Sequence, residues 1–170
     1  MAGVKTKADT DGDQADLVTR TRIEDLLVDY AHAIDDDDLE RWPDFFTESA
    51  FYQIISRESF EAGLPIGILS CEGRGMMQDR IIALRTANVF EPHTYCHMLS
   101  RPQFVRADAS MWQVRTNFRV IRTMQSGSSE AYATGKYVDQ VVIAQGKPLL
   151  QERRVVLESR RIDILLVIPL

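Results

Sequence analysis

At 170 residues, with 45% apolar and 26% charged side chains, the chain can bury a self-standing core and has an ordinary globular make-up. Its net charge of -5 speaks against a nucleic-acid partner, which would call for a basic face. Cysteine occurs only at Cys71 and Cys96, too few for a disulfide framework or a zinc site, so two buried, reduced thiols are expected. No apolar run approaches the ~20 residues of a membrane helix, and no basic-then-apolar leader opens the chain. A cytoplasmic protein without a membrane partner is expected.

In chain order, residues 1–18 are polar and predict a disordered tail, because they have little apolar surface to bury. A helix is expected from about Leu17–Thr21. Thr21 and Glu24 fit a capping box, and Ile23, Leu26, Leu27, Tyr30 and Ile34 form one apolar stripe. The four aspartates Asp35–Asp38 oppose the macrodipole at a helix C-terminus and should end it. Asp37 or Asp38 then caps a short helix with Leu39, Trp42, Phe45 and Phe46, which Pro43 keeps short. Ala50–Ile55 reads as a strand. Ser56–Leu69 reads as a long loop with some strand near Gly67–Leu69. Arg74–Ala87 reads as a further helix, with Met77, Ile81 and Leu84 along one side and Asn88 as its C-cap.

From His93 to Leu157 the pattern predicts four long strands. The clearest is Trp112–Met124. Trp112, Val114, Thr116, Phe118, Val120 and Met124 alternate with Gln113, Arg115, Asn117, Arg119 and Thr123, and the alternation breaks at Ile121 and Arg122. One face should meet a core and the other water or a partner. Short links at Arg106–Ser110, Gln125–Ser129 and Ala144–Lys147 predict antiparallel neighbours. The fold class is therefore α+β: one curved antiparallel sheet wrapped over about three N-terminal helices, a cone formed by a single domain over 19–170. The ending Ile162–Leu170 is too apolar for a free tail and must lie against this domain or another chain.

Candidate chemistry is sparse. His93, Tyr95 and His97 share one face of a strand. Paired histidines with a carboxylate could hold iron, or a His–Asp pair could do acid–base work, with Tyr30 and Asp35 as partners. The competing reading is hydrogen-bonded structural or interface histidines. No Cys-x-His followed by Cys-x-x-His occurs to hold a Rieske cluster, no Gly-x-Gly-x-x-Gly cradles a phosphate, and no Gly-x-Ser-x-Gly elbow is present. Cys96 and His97 are strand neighbours and point to opposite faces, which disfavours thiol catalysis. Trp42, Phe45 and Phe46 read as core. Glu152, Arg153 and Arg154 put three charges in mid-strand, costly to bury unless paired, and suit either a solvated face or an inter-subunit surface.

The block Asp79–Met98, with Glu91-Pro92-His93-Thr94-Tyr95-Cys96-His97 at its end, resembles the small (beta) subunits of aromatic-ring-hydroxylating Rieske oxygenases. Trp42–Thr47, Gly135–Asp139, Leu150–Arg153 and Leu165–Leu170 resemble them too, so the likeness covers about residues 20–170. Within that family the chain is similar to terephthalate-dioxygenase-like and salicylate-hydroxylase-like small subunits. The resemblance implies a cone similar to nuclear transport factor and ketosteroid isomerase. It also implies a hexamer of three large and three small subunits. The Rieske 2Fe-2S cluster and mononuclear iron would then sit on the large (alpha) subunit, leaving no cofactor and no catalytic residue here. His93, Tyr95, His97, Glu152, Arg153 and Arg154 become the candidate interface residues. Small subunits of this type often carry Arg where this chain has Cys96, so the polar contacts of that motif are expected to differ.

Two other functions stay open on the residues alone. A stand-alone lyase or isomerase would need Tyr30, Asp35, His93 and His97 to line an open cone. A small-ligand binding module has only the fold in its favour.

Overall fold

The computed structural model describes residues 7–87, 91–106, 108, 110–159 and 168–170, with the side chains of 7–13 and 106 outside the description. Helix α1 (Lys7–Asp35) comes first, then a 3-10 helix (Leu39–Phe45), strand β1 (Phe46–Ser56), α2 (Arg57–Glu61), β2 (Leu69–Glu72) and α3 (Gly73–Thr86). Five strands follow: β3 (His93–Leu99), β4 (Gln103–Arg106), β5 (Met111–Met124), β6 (Ser129–Ala144) and β7 (Lys147–Leu157).

Helix α1 begins well before the expected start, so residues 7–18 of the anticipated tail are helical. Thr21 does not cap it. The Thr19 and Thr21 hydroxyls instead donate back to the carbonyls of Ala15 and Leu17 at 2.9 and 3.1 Å, inside a helix already running. Leu17 and Val18 stay exposed, so this first half rests on the helical ladder, propagated from the half that packs on the sheet. The predicted stripe is the buried one: Ile23, Leu26, Leu27, Tyr30 and Ile34 all enter the core. Asp37, at φ 59°, turns the chain out of α1. Asp38 sits at the cap position of the 3-10 helix without a side-chain cap bond. The loop expected over Ser56–Leu69 contains α2, which Ser56 caps by accepting from the Ser59 amide at 3.2 Å. Helix α3 buries Met77, Ile81 and Leu84 as expected, and the anticipated cap Asn88 lies outside the described residues.

The sheet has seven strands in the order β2-β1-β7-β6-β5-β3, with β4 also paired to β5. It is mixed, not wholly antiparallel. β1 runs parallel to β7, because the long excursion through α2, β2, α3 and β3–β6 lets the chain return in the same sense. The first of the four expected strands is two, β3 and β4, broken around Ser100–Pro102 where proline removes a ladder donor. On β5 the alternation holds: Trp112, Val114, Thr116, Phe118 and Val120 are buried, and Gln113, Arg115, Asn117 and Arg119 are exposed. Its break at Ile121 and Arg122 coincides with a register shift against β6, where Val120 pairs with Ala133 but Ile121 with Ala131. The two-residue Gln145–Gly146 turn joining β6 to β7 has both φ angles positive, 51° and 78°, as a tight hairpin requires. Gly135 is required by close approach. A Cβ there would lie 2.2 Å from the Val156 carbonyl oxygen and 3.1 Å from the Phe118 ring.

The core lies between the inner face of the sheet and α1, the 3-10 helix and α3. The C-terminal Ile168 and Leu170 are buried in it, so this end of the apolar ending packs on its own domain.

Candidate functional site

Among the described residues the inner face of the cone is packed with large side chains, and a cavity of about 510 Å³ opens beside them between Leu27, Leu99 and Thr116. Trp42, Trp112, Tyr30, Tyr52, Tyr137, Phe46 and Met77 are among its largest fully buried side chains. Trp42 meets Tyr52 edge-to-face at 5.0 Å and Phe46 at 5.8 Å, and Phe118 stacks on Tyr137 at 4.3 Å.

At the centre of this packing sits a buried ion pair. Arg153 donates from Nε and Nη2 to the two oxygens of Asp139, at 2.9 and 2.8 Å, and both side chains are 0% exposed. The guanidinium lies 4.0 Å from the Tyr30 ring centroid and 4.2 Å from that of Tyr137, a cation held between two aromatic faces. Burial disfavours charge on both partners and pushes the Asp139 carboxyl up, against the pull of Arg153. For Arg153, burial is outweighed by Asp139 and the two tyrosines, which hold the guanidinium above its ordinary value. The two-point geometry with two good N–H···O bonds is that of an ionised pair, and this is the state we assign.

Three buried tyrosines surround the pair. Burial raises the pKa of Tyr30, and raises those of Tyr52 and Tyr137 well above the ordinary tyrosine range. Tyr30 accepts from Trp42 Nε1 at 3.0 Å and donates to the Leu170 carbonyl oxygen at 2.9 Å. Tyr52 donates to that same oxygen at 3.1 Å and accepts from the Leu170 amide at 3.0 Å. The C-terminal residue is thus pinned by two phenols from α1 and β1.

The candidate acid–base residues do not converge. Asp35 and His97 do meet: Nδ1 of His97 donates to Asp35 Oδ1 at 2.6 Å and its amide to Oδ2 at 2.7 Å. That carboxylate, projecting from the end of α1, satisfies a backbone donor on the edge strand β3 and so helps to close that edge. Nε2 of His97 is buried without a hydrogen-bond partner. His93 instead is half-buried on β3, its Nδ1 2.7 Å from the Glu91 carbonyl oxygen, and lines a depression of about 350 Å³ with Asp35, Asp37 and Arg85. Tyr30 is committed to Leu170, Trp42 and Arg153.

Of the six candidate interface residues, three are spent within the protomer. Arg153 is in the core, Tyr95 is buried and stacked on Tyr132 at 5.1 Å, and the His97 side chain is fully enclosed. Arg153 and His97 therefore present no surface to a partner, because each is committed to an internal carboxylate. His93, Glu152 and Arg154 remain accessible in part. Arg154 pairs with Glu152 on the outer face and reaches Gln53 Oε1 at 3.4 Å. With Gln103, Val105, Gln113, Arg115, Val138 and Gln140 these two line an outer-face depression of about 390 Å³.

The residues present do not suit a Rieske cluster or a mononuclear iron. A Rieske cluster takes two cysteines and two histidines together. Here Cys71 is on β2 and Cys96 on β3, at opposite ends of the strand order. Among the described residues no three His, Cys, Asp or Glu side chains group to hold a metal ion. The expectation of two buried thiols is half right: Cys71 is buried, with burial raising its pKa, while Cys96 is exposed on the outward side of β3. Also among the described residues, no helix is long and apolar enough to cross a membrane.

Asp139 was not legible as a site residue. Its pairing with Arg153 depends on a one-residue register shift: Val141 faces Leu150, but Gln140 faces Glu152 and Asp139 faces Arg153. Extending the hairpin register without that bulge would set Asp139 opposite Glu152, acid against acid.

Comparison with known proteins agrees with this arrangement. Residues 30–164 match the family model described as the ring hydroxylating beta subunit. The chain is 37% identical to terephthalate 1,2-dioxygenase, terminal oxygenase component subunit beta 2, of a Comamonas species, over 91% of this chain and 100% of that protein. It is likewise 37% identical to the anthranilate 1,2-dioxygenase small subunit of Burkholderia cepacia, over 91% and 96% of the two chains. Among solved structures, the beta subunit assigned to an aromatic-ring-hydroxylating dioxygenase of Novosphingobium aromaticivorans superimposes with a TM-score of 0.85. It is 32% identical, over 92% of this chain and 99% of that one. The architecture alone recurs in an NTF2-like protein with a cystatin-like fold from the same organism, 16% identical with a TM-score of 0.70 over 94% of each chain.

Proposed function

The chain belongs to the ring-hydroxylating dioxygenase beta subunits, and from that premise we propose that it is the non-catalytic, structural small subunit of a multicomponent oxygenase. Its role is to support assembly of the large subunit that carries the Rieske 2Fe-2S cluster and the mononuclear iron. The observation that carries this reading is the packed interior of the cone. Where an enzyme of this shape would keep an open pocket, Trp42, Phe46, Tyr30, Tyr52, Tyr137 and the Arg153–Asp139 pair occupy the space. A stand-alone lyase or isomerase would need Tyr30, Asp35, His93 and His97 around one opening; Asp35 and His93 line one depression, but Tyr30 is enclosed in the core and the His97 side chain is fully buried.

In this reading residues 19–170 act as one unit, three copies form a trimeric base, and three large subunits complete a cytoplasmic hexamer. The accessible candidates His93, Glu152 and Arg154 belong to contacts between subunits. The substrate class follows the relatives: terephthalate and anthranilate are both aromatic carboxylates, so a carboxylated aromatic compound is the expected substrate of the complex.

Co-production with the large subunit tests the proposal. The two chains should co-purify in equal numbers, and iron and labile sulfide should stay with the large chain when the subunits are separated. Failure to form a stable complex, or a tightly bound metal on the isolated small chain, overturns it.

A further inference from the structure

The cavity of about 510 Å³ beside the packed core is walled by α1 on one side and by the link between β3 and β4 on the other. Its size lies within the range of small-molecule sites, about 300–1,000 Å³. Leu27, Val28 and Leu99 give it apolar walls. Thr116 reaches it from the inner face of β5. That residue is 1% exposed, and its hydroxyl has no hydrogen-bond partner among the described residues. It interrupts an apolar row of Trp112, Val114, Phe118 and Val120, where a valine of the same shape would pack as well. An enclosed hydroxyl without a partner costs free energy that an apolar isostere avoids. The cavity is the side from which a partner can reach it.

Two charges also stand at this cavity unmatched. Arg101 on the β3–β4 link and Glu24 on α1 both line it, and among the described residues neither side chain has an ion-pair or hydrogen-bond partner. Other arginines at the surface, Arg57, Arg74, Arg85 and Arg122, all hold acids. The link that carries Arg101 is anchored to β5. The Ser100 amide donates to the Asn117 carbonyl oxygen at 2.9 Å, and the Ser100 hydroxyl accepts from the Asn117 amide at 3.0 Å. Pro102 fixes the φ that follows. The walls are therefore preformed, and little ordering opposes binding.

We infer that this cavity binds a small aromatic acid bearing one carboxylate and one ring hydroxyl or amino group. The ring lies against Leu27 and Leu99, Arg101 pairs with the carboxylate, Glu24 accepts from the ring donor, and the Thr116 hydroxyl gains its missing hydrogen bond. The lining selects this class. A second carboxylate would be set against Glu24, and an uncharged ring would leave Arg101 unmatched. The aromatic body rests on the substrate class proposed above, and the site on this chain is what is added.

Calorimetric titration of the full chain with 4-hydroxybenzoate tests the site, with thermal unfolding of each variant in parallel. A dissociation constant of about 0.1–1 mM is expected. Benzoate, which lacks the ring donor, should bind about 5-fold more weakly, and 4-hydroxybenzyl alcohol, which lacks the carboxylate, about 10-fold more weakly. Arg101→Ala should abolish the preference for the acid over the alcohol, and Glu24→Ala the preference for 4-hydroxybenzoate over benzoate. Thr116→Val should weaken 4-hydroxybenzoate about 5-fold while leaving the unfolding temperature unchanged or raised. No binding of 4-hydroxybenzoate up to about 10 mM, or binding indifferent to all three substitutions, overturns the site. Either result leaves the structural-subunit reading standing, because that reading is decided by co-purification with the large subunit. Binding that follows the three substitutions in a chain that fails to co-purify upholds the site and overturns the subunit reading alone.

Discussion

Arg153 and Arg154 are neighbours in sequence and live under opposite physics. Arg153 faces inward and is enclosed. It is bonded twice to Asp139 and sandwiched by Tyr30 and Tyr137. Arg154 faces outward, is part-exposed, and shares its charge with Glu152, Gln53 and the Phe51 ring at 5.4 Å. The same contrast separates the two faces of the whole sheet. Inside, the central charge is matched to its partner, because an uncompensated charge in the core costs several kcal/mol. Outside, water screens charge, so arginines such as Arg115 and Arg119 stand without a partner among the described residues at little cost.

Alkaline titration should break the inner face most completely. Tyr30, Tyr52 and Tyr137 have raised folded-state values because of burial, against about 10 in an unfolded chain. The folded state therefore holds these protons more tightly. Their contribution is fully present below about pH 10 and is lost as pH rises through the folded-state values. Circular dichroism against pH should show cooperative loss of structure above about pH 10, and a protein as stable at pH 12 as at pH 8 would contradict the enclosed tyrosines.

Arg153→Ala comes next. It strands Asp139 in the core and should cost about 3–5 kcal/mol in urea unfolding. Arg154→Ala, one residue on, should cost about 0–1 kcal/mol. Equal effects at the two positions would dissolve the contrast between faces.

Gly135→Ala pushes a Cβ onto the Val156 carbonyl and should cost about 1–3 kcal/mol, since that contact is backbone and cannot swing away. Tyr52→Phe removes one donor and one acceptor from Leu170 and should cost about 1–2 kcal/mol. Smallest of all, a thiol reagent on the folded protein should label Cys96 quickly and Cys71 only on unfolding.

Much of this contrast was legible beforehand. The period of two along Trp112–Val120 assigned both faces of β5, and the stripe from Ile23 to Ile34 assigned the buried side of α1. A pairing of Asp35 with the strand histidines was legible, and it falls on His97, 62 residues on, because α1 ends over an edge strand. What escaped was strand sense across the sheet. The parallel seam of β1 on β7 was missed because strand sense across a long connection leaves no local mark.

Periodicity, turn residues and the family motifs therefore determined the α+β class, the buried stripes and the kinship with oxygenase small subunits. These are properties of neighbours along the chain, and short-range sterics and hydrophobic period express them directly. Only the tertiary structure decided which charges are spent inside. Asp139 meets Arg153 and not Glu152 because one extra residue on β7 shifts the register by one, and a slip of that size exchanges partners without changing the pattern of apolar and polar residues from which the strands are read.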